Sequence, residues 1–176
     1  SDVIESQGTR HAEKIKSHHN VGGLPEKLGF RLVEPLRAYY KDEVRNIGKL
    51  LGLPPKVVNK QVFPGPGYAI RIVGEVTPVR LNQEKQADDI VLAEMDKAGW
   101  LQKVYMCFQI MTGTVSTAVK GDGRFYGEVV ALRVIHSRDV MTTTWAHLPY
   151  GLLQKISSRI VNEVPGVSRV VYDITT

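Results

Sequence analysis

The sequence predicts an α+β chain: a small antiparallel or mixed sheet with two helices packed on one face, preceded by a separate, mainly helical segment. Three observations predict it. Apolar residues recur at helical spacing in two windows, Thr77 to Ala98 and Pro149 to Ile160. Apolar, β-rich runs lie at 103–110, 125–135 and 169–174, with glycine-containing turns between elements. Between the two parts stands FPGPGYAIRIVG, Phe63 to Gly74, whose prolines and glycines fix a bend before a β-rich stretch.

In chain order, the first segment opens on DVIES at Asp2 to Ser6. It then runs polar and basic through Lys14 and Lys16 to Ser17, His18, His19 and Asn20, and closes on Gly22, Gly23 and Pro25. This composition reads as a loop, able to close over a charged substrate or simply to be solvated. Metal binding is the rival reading of the paired histidines, but adjacent residues rarely converge on one ion and no His or Cys stands at ligand spacing. From Glu34 to Leu51 the spacing of Leu36, Tyr40, Val44, Ile47 and Leu51 predicts a helix with Pro35 in its first turn, stopped by Gly52, Pro54 and Pro55. A short helix over 56–60 leads into the Pro-Gly stretch.

In the second segment, Tyr68 to Val73 reads as a first strand. Thr77 and Pro78 form an N-cap and first turn for a helix carrying Ala87, Ile90, Val91, Met95 and Ala98, ended by Gly99. Strands follow at 103–110 and 116–120, then a turn at Gly121, Asp122 and Gly123 and a long strand over 125–135. A helix from Pro149 buries Leu152, Leu153, Ile156 and Ile160, and after Pro165 and Gly166 a last strand spans 169–174. The order is strand, helix, strands, helix, strand. Helices on one face leave the other open, and a symmetric dimer would bury it.

Composition narrows the function classes. The 176 residues are 43% hydrophobic and 23% charged, ordinary globular values. With no run of eighteen apolar residues and no basic-then-apolar leader, the sequence predicts neither a membrane span nor secretion. The net charge of +5 and pI near 9.3 suit an anionic partner, although the charges are scattered rather than clustered. Cys107, the one cysteine, lies in the apolar run VYMCFQI and reads as a buried thiol in a reducing compartment.

Two places invite chemistry. Arg71 sits in an apolar stretch and needs either an internal carboxylate, for which Glu75 and Asp173 are the candidates, or a substrate anion. In AVKGDGRFY, Ala118 to Tyr126, Gly121 and Gly123 can expose backbone N–H groups to an anion, with Lys120 and Arg124 beside them. The same residues with Asp122 also fit an ordinary hairpin turn. For Arg169 and Asp173 the reading is a last strand with a salt bridge.

Taken together, KSHHNVGGLPE at Lys16 to Glu26, FPGPGYAIRIVGEV at Phe63 to Val76 and NEVPGVSRVVYDIT at Asn162 to Thr175 resemble, in order and spacing, the carboxy-terminal part of GMP synthase. GDGRFY at Gly121 to Tyr126 and LVEPLRAYYKDEVRNIGKLLGLP fit the same family, so the resemblance covers essentially the whole chain. It implies an enzyme that uses ATP, with Mg²⁺, to adenylylate xanthosine monophosphate (XMP), which glutamine-derived ammonia then converts to GMP. It implies no prosthetic group and no resident metal. It also implies a cytoplasmic homodimer, a glutamine amidotransferase domain or subunit as partner, and neither nucleic acid nor membrane.

On this resemblance 1–61 is the lid and helical tail of an α/β ATP pyrophosphatase domain, and 62–176 is the dimerisation domain. Lys16, His18, His19 and Asn20 would close over ATP and the purine, with Asp2 and Glu5 as lid-positioning or Mg²⁺-side carboxylates. Arg71, Pro64, Gly65, Pro66 and Gly67, with Lys120, Gly121, Asp122 and Arg124, would meet XMP. The family's SGGVDS pyrophosphate loop and its Cys-His-Glu amidotransferase triad do not occur in the sequence. The chain stops at Thr176, where the family usually continues into a lysine- and proline-containing tail, and Tyr68 replaces a more usual leucine. A fragment unable to make GMP alone is therefore expected. Two other readings are a KH-like RNA-binding module and a dimerisation scaffold without substrate contacts. KH recognition needs a GxxG loop between helices, whereas here the glycine-rich turn joins two strands.

Overall fold

The computed structural model describes residues 29, 31–61, 63, 67–137 and 142–175. The chain divides into two compact units, Ser1–Lys60 and Gln61–Thr176.

In the first unit the helix starts later than its apolar spacing predicts. Helix α1 spans Lys41–Leu50, while 35–38 form a turn held by Arg37 N–H to the Glu34 carbonyl and Tyr39 N–H to that of Leu36. The Glu43 carboxylate accepts the Tyr40 N–H at 2.7 Å, satisfying a free donor of the first turn and fixing the start there. A four-residue helix α2, Pro55–Val58, follows the predicted breaker. Gly48 and Val58 are buried in this unit, while Leu50, Leu51, Leu53 and Val57 are exposed.

The second unit is α+β. Tyr68–Arg71 is a 3-10 turn rather than the expected strand, and only one parallel bridge, Ile72 to Met111, touches the sheet. Helix α3 then runs Pro78–Lys97, with the Thr77 hydroxyl accepting the Arg80 N–H at 3.2 Å. Strand β1, Met106–Lys120, is one strand where the sequence predicts two. A bulge between Met111 and Val115 interrupts its alternation, and Gly113, at φ +74°, sits in it. Strand β2, Gly123–Ser137, pairs antiparallel with β1 along one edge. Its other edge takes the short strand β3, Thr143–Trp145, antiparallel, and strand β4, Val167–Asp173, parallel. Helix α4, Tyr150–Glu163, lies between β3 and β4 in sequence. Among the described residues the sheet is therefore mixed and four-stranded.

The core lies between the sheet and both helices. Paired residues Cys107 and Val134, Gln109 and Leu132, and Met111 and Val130 point their side chains to one face. Ala87, Ile90, Val91 and Met95 of α3 and Leu152, Ile156 and Ile160 of α4 join that core. On the opposite face Val171 of β4 is 42% exposed beside an Arg133–Asp173 ion pair. Asp173 thus has a partner other than Arg71.

The β2–β4 crossing leaves no room at Gly127. A Cβ there would lie 2.6 Å from the Gly166 carbonyl oxygen and 2.9 Å from the Ser168 nitrogen, both backbone atoms. Gly127→Ala should therefore cost about 2–3 kcal/mol in urea unfolding, as overpacking against rigid neighbours does. Gly123→Ala, whose Cβ meets nothing within 4 Å, should stay within about 0.5 kcal/mol of the parent.

Candidate functional site

A buried charge cluster stands where the Pro-Gly stretch meets α3. Arg71, at the end of the 3-10 turn, is 2% exposed. Its Nη1 donates to Asp88 Oδ1 at 2.6 Å and lies 3.4 Å from Glu84 Oε1, while Nη2 donates to the Phe63 carbonyl at 2.8 Å. The Tyr68 hydroxyl donates to the second Asp88 oxygen at 3.0 Å, and Gln109 Nε2 donates to Glu84 Oε1 at 2.8 Å. The rings of Phe63, Tyr68 and Phe108 surround the guanidinium at 5.3–5.5 Å, within cation–π range, and Phe63 and Phe108 also pack on each other. Removing one partner of such a buried pair typically costs about 3–5 kcal/mol, because the other charge is left uncompensated.

Arg71 therefore takes the internal carboxylate, but from neither residue expected. Glu75 contributes its carbonyl to Arg80, and Asp173 pairs with Arg133. The partners Glu84 and Asp88 are four apart on α3, among its core positions. Two acids interleaved with Ala87 and Val91 on an inward helix face were the available signal for them.

Charge is distributed unevenly in the cluster. Burial pushes the Glu84 carboxyl up to about 8, opposed by Arg71 and the Gln109 amide and reinforced by the Asp88 charge. Its Oε2 is sealed from solvent and has no hydrogen-bond partner among the described residues. The Arg71–Asp88 ion pair thus stands beside an acid that burial makes harder to ionise. Burial, and then the Asp88 charge, also raise the Tyr68 phenol. An anion seeking Arg71 would have to displace Asp88 from a dry site. The free guanidinium expected for a phosphate is not found.

A second network fixes the chain just after this cluster. Arg80 donates to both carboxylate oxygens of Glu128, at 3.0 and 2.6 Å, and to the Val73 carbonyl at 2.9 Å. The Gly113 N–H in the bulge also donates to Glu128, at 2.7 Å.

The hairpin tip is separate. Gly121 and Asp122 form a two-residue turn between Lys120 and Gly123, with Gly121 at φ +62°. Lys120 Nζ donates to the Val161 carbonyl at 2.9 Å and sits over the Phe125 ring, and Arg124 reaches the Tyr126 hydroxyl at 3.4 Å. Lys120 is nine residues beyond Met111, the bridge partner of Ile72, so about 30 Å of strand separates the tip from the Arg71 cluster. Arg169 donates to the Thr117 carbonyl at 3.3 Å and, among the described residues, pairs with no carboxylate. Asp2, Glu5, Lys16, His18, His19, Asn20, Pro64, Gly65 and Pro66 lie outside the described residues. Gly67, at φ +118°, is the described member of the Pro-Gly run.

Other candidates lose their chemistry to burial or geometry. Cys107 is fully buried, and burial raises its thiol to about 12, so no thiolate is available near neutrality. Among the described residues no group of three or more His, Cys, Asp or Glu side chains is placed to hold a metal ion, and no helix is long and apolar enough to cross a membrane.

Glu84 links this site to pH. Its folded-state value lies above the unfolded one, so the folded state holds the proton between about 4.5 and 8 while the unfolded state releases it. The contribution of Glu84 is therefore complete below about pH 4.5 and is lost as pH rises to about 8. The parent should lose about 1.4 kcal/mol per pH unit relative to Glu84→Gln across that window. Urea unfolding from pH 5 to 8 checks this, and parallel curves for the two proteins would contradict a neutral Glu84.

Comparison with known proteins agrees with the resemblance. Residues 93–176 match the family model described as GMP synthase C terminal domain. The chain is 55% identical over 175 residues to a glutamine-hydrolysing GMP synthase of Caldanaerobacter subterraneus subsp. tengcongensis, with 99% of this chain aligned. It is 56% identical over 176 residues, again 99% of this chain, to that of Heliobacterium modesticaldum. With the protein of the same name in Halothermothrix orenii it shares 54% over its full length. The chain spans 34% of the length of each of these relatives. Residues 93–176 therefore belong to the GMP synthase C terminal domain family.

Proposed function

We propose that this chain is the part of a glutamine-hydrolysing GMP synthase that binds XMP, supplies the lid and holds two subunits together. The observation that carries the reading is identity of 55% running through both units rather than through one domain. Segment 1–61 would be the lid and tail of the ATP pyrophosphatase domain. The exposed Leu50, Leu51, Leu53 and Val57 support this, because a helical tail needs a larger body to cover such side chains. Segment 62–176 would be the dimerisation domain, with the sheet face around Val171 as the apolar surface shared between subunits.

In this reading the lid residues Asp2, Glu5, Lys16, His18, His19 and Asn20 close over Mg²⁺-ATP and the purine. The Pro-Gly run from Pro64 to Gly67 forms a wall of the XMP site. Arg71 would not hold the phosphate in this reading, since its charge is already met by Asp88. Lys120, Gly121, Asp122 and Arg124 would serve a nucleotide held elsewhere than at Arg71, such as the partner subunit's. The whole enzyme would work in the cytoplasm with an amidotransferase that delivers ammonia. This chain alone would be inactive, since the SGGVDS loop is not among its 176 residues. A second reading, a dimerisation scaffold without substrate contacts, draws support from the internal neutralisation of Arg71.

Calorimetric titration with XMP separates the two readings: saturable heat supports substrate binding, and none supports the scaffold. Sedimentation at micromolar concentration should give a dimer, and Val171→Lys should shift it to monomer. The isolated chain supplied with XMP, ATP and ammonia should yield no GMP, and turnover above background would contradict the assigned division of labour.

A further inference from the structure

Helix α3 and strand β1 meet through an acid and an amide that solvent does not reach. Glu84 and Gln109 are both fully buried. Gln109 Nε2 donates to Glu84 Oε1 at 2.8 Å and to the Glu84 main-chain carbonyl at 3.1 Å. These two acceptors fix which way the amide points, because a flipped amide would set its oxygen against both of them. The pair then ends in two acceptor oxygens, Glu84 Oε2 and Gln109 Oε1, sealed from solvent and without a hydrogen-bond partner among the described residues. Two bare acceptors in a dry contact are costly, and a single proton shared between them satisfies both. We propose that Glu84 carries its proton on Oε2 and donates it to Gln109 Oε1, closing a two-bond acid–amide clasp between helix α3 and strand β1.

A carboxylic acid and a primary amide are complementary: the acid O–H suits the amide carbonyl, and the amide N–H suits the acid carbonyl. The second of these bonds is the one at 2.8 Å. The surroundings of Glu84 favour its acid form. Burial opposes the carboxylate, the Asp88 charge on the same helix adds to this, and Arg71 from the 3-10 turn works against both. Arg71 is committed elsewhere, with Nη1 at 2.6 Å from Asp88 and 3.4 Å from Glu84. Tyr68 donates to Asp88, and burial keeps the Cys107 thiol, on the same face of β1 as Gln109, in its neutral form. The competing partner for Oε2 is Arg71 Nε, a buried donor that is also unpartnered and that would hold Glu84 as a carboxylate. The clasp is a proton-dependent tie. It stays closed while Glu84 is neutral and opens as pH rises through about 8.

Diffraction and infrared spectroscopy on the whole chain test the clasp. In crystals grown at about pH 6, Glu84 Oε2 and Gln109 Oε1 should lie about 2.5–3.0 Å apart, the span of an O–H···O bond, and neutron diffraction should place the deuteron on Oε2. Ordinary exposed carboxyls are ionised at about pH 6.5, so the parent should then show one band from a buried acid carbonyl. That band should be missing from Glu84→Gln and should fade from the parent as pH passes about 8. Should Glu84→Gln fail to fold, the loss of the band with rising pH identifies it in the parent alone. An oxygen–oxygen separation beyond about 3.0 Å overturns the inference, because no proton then joins the pair. A parent without the acid band at about pH 6.5 also overturns it, and leaves Oε2 to Arg71 Nε.

Discussion

A guanidinium sealed from water must find its counter-charge inside the protein, and the way Arg71 does so shapes the second unit. Asp88 supplies the charge and the Phe63 carbonyl takes the second nitrogen. Three aromatic rings replace the lost water. The contacts join three parts of the chain that are distant in sequence: the Pro-Gly stretch, helix α3 and, through Gln109 and Phe108, strand β1. The adjacent Arg80–Glu128 clamp extends the same logic to the next residues, holding Val73 and Gly113 against the bulge. Polar contacts thus fix Phe63 and Val73, whereas the helices meet the sheet through an apolar core with polar ties at Glu84 and Arg80.

Helix α3 is seated in the core by Ala87, Val91 and Met95. Glu84 and Asp88 share that inward face. Burial raises the Glu84 carboxyl and so favours its neutral form over a second desolvated anion beside Arg71.

Much of the fold was legible from periodicity alone. Helices α3 and α4 and strands β2 and β4 follow from apolar spacing and from Gly and Pro at their ends. The misses have physical causes. Tyr68 to Val73 alternates like a strand, yet Arg71 turns inward to α3 and the segment closes as a 3-10 turn. Gly113 places a bulge where β1 loses its alternation, so one strand reads as two. Strand β3 is three residues long and borrows its pairing from β2. At the site, the need of Arg71 for a partner was plain, but the identity of that partner was not, since helix-borne acids at i and i+4 look like a solvated face until the helix is oriented. The motifs carried the family, whose C terminal domain the comparisons then found in residues 93–176.

The central claim is that the buried Arg71 charge is met inside the protein by Asp88 rather than by a substrate anion. A crystal structure of the longer enzyme with XMP bound tests it most directly. The account predicts Arg71 still joined to Asp88 and to the Phe63 carbonyl. An XMP phosphate resting on the Arg71 guanidinium, with Asp88 displaced, would contradict it.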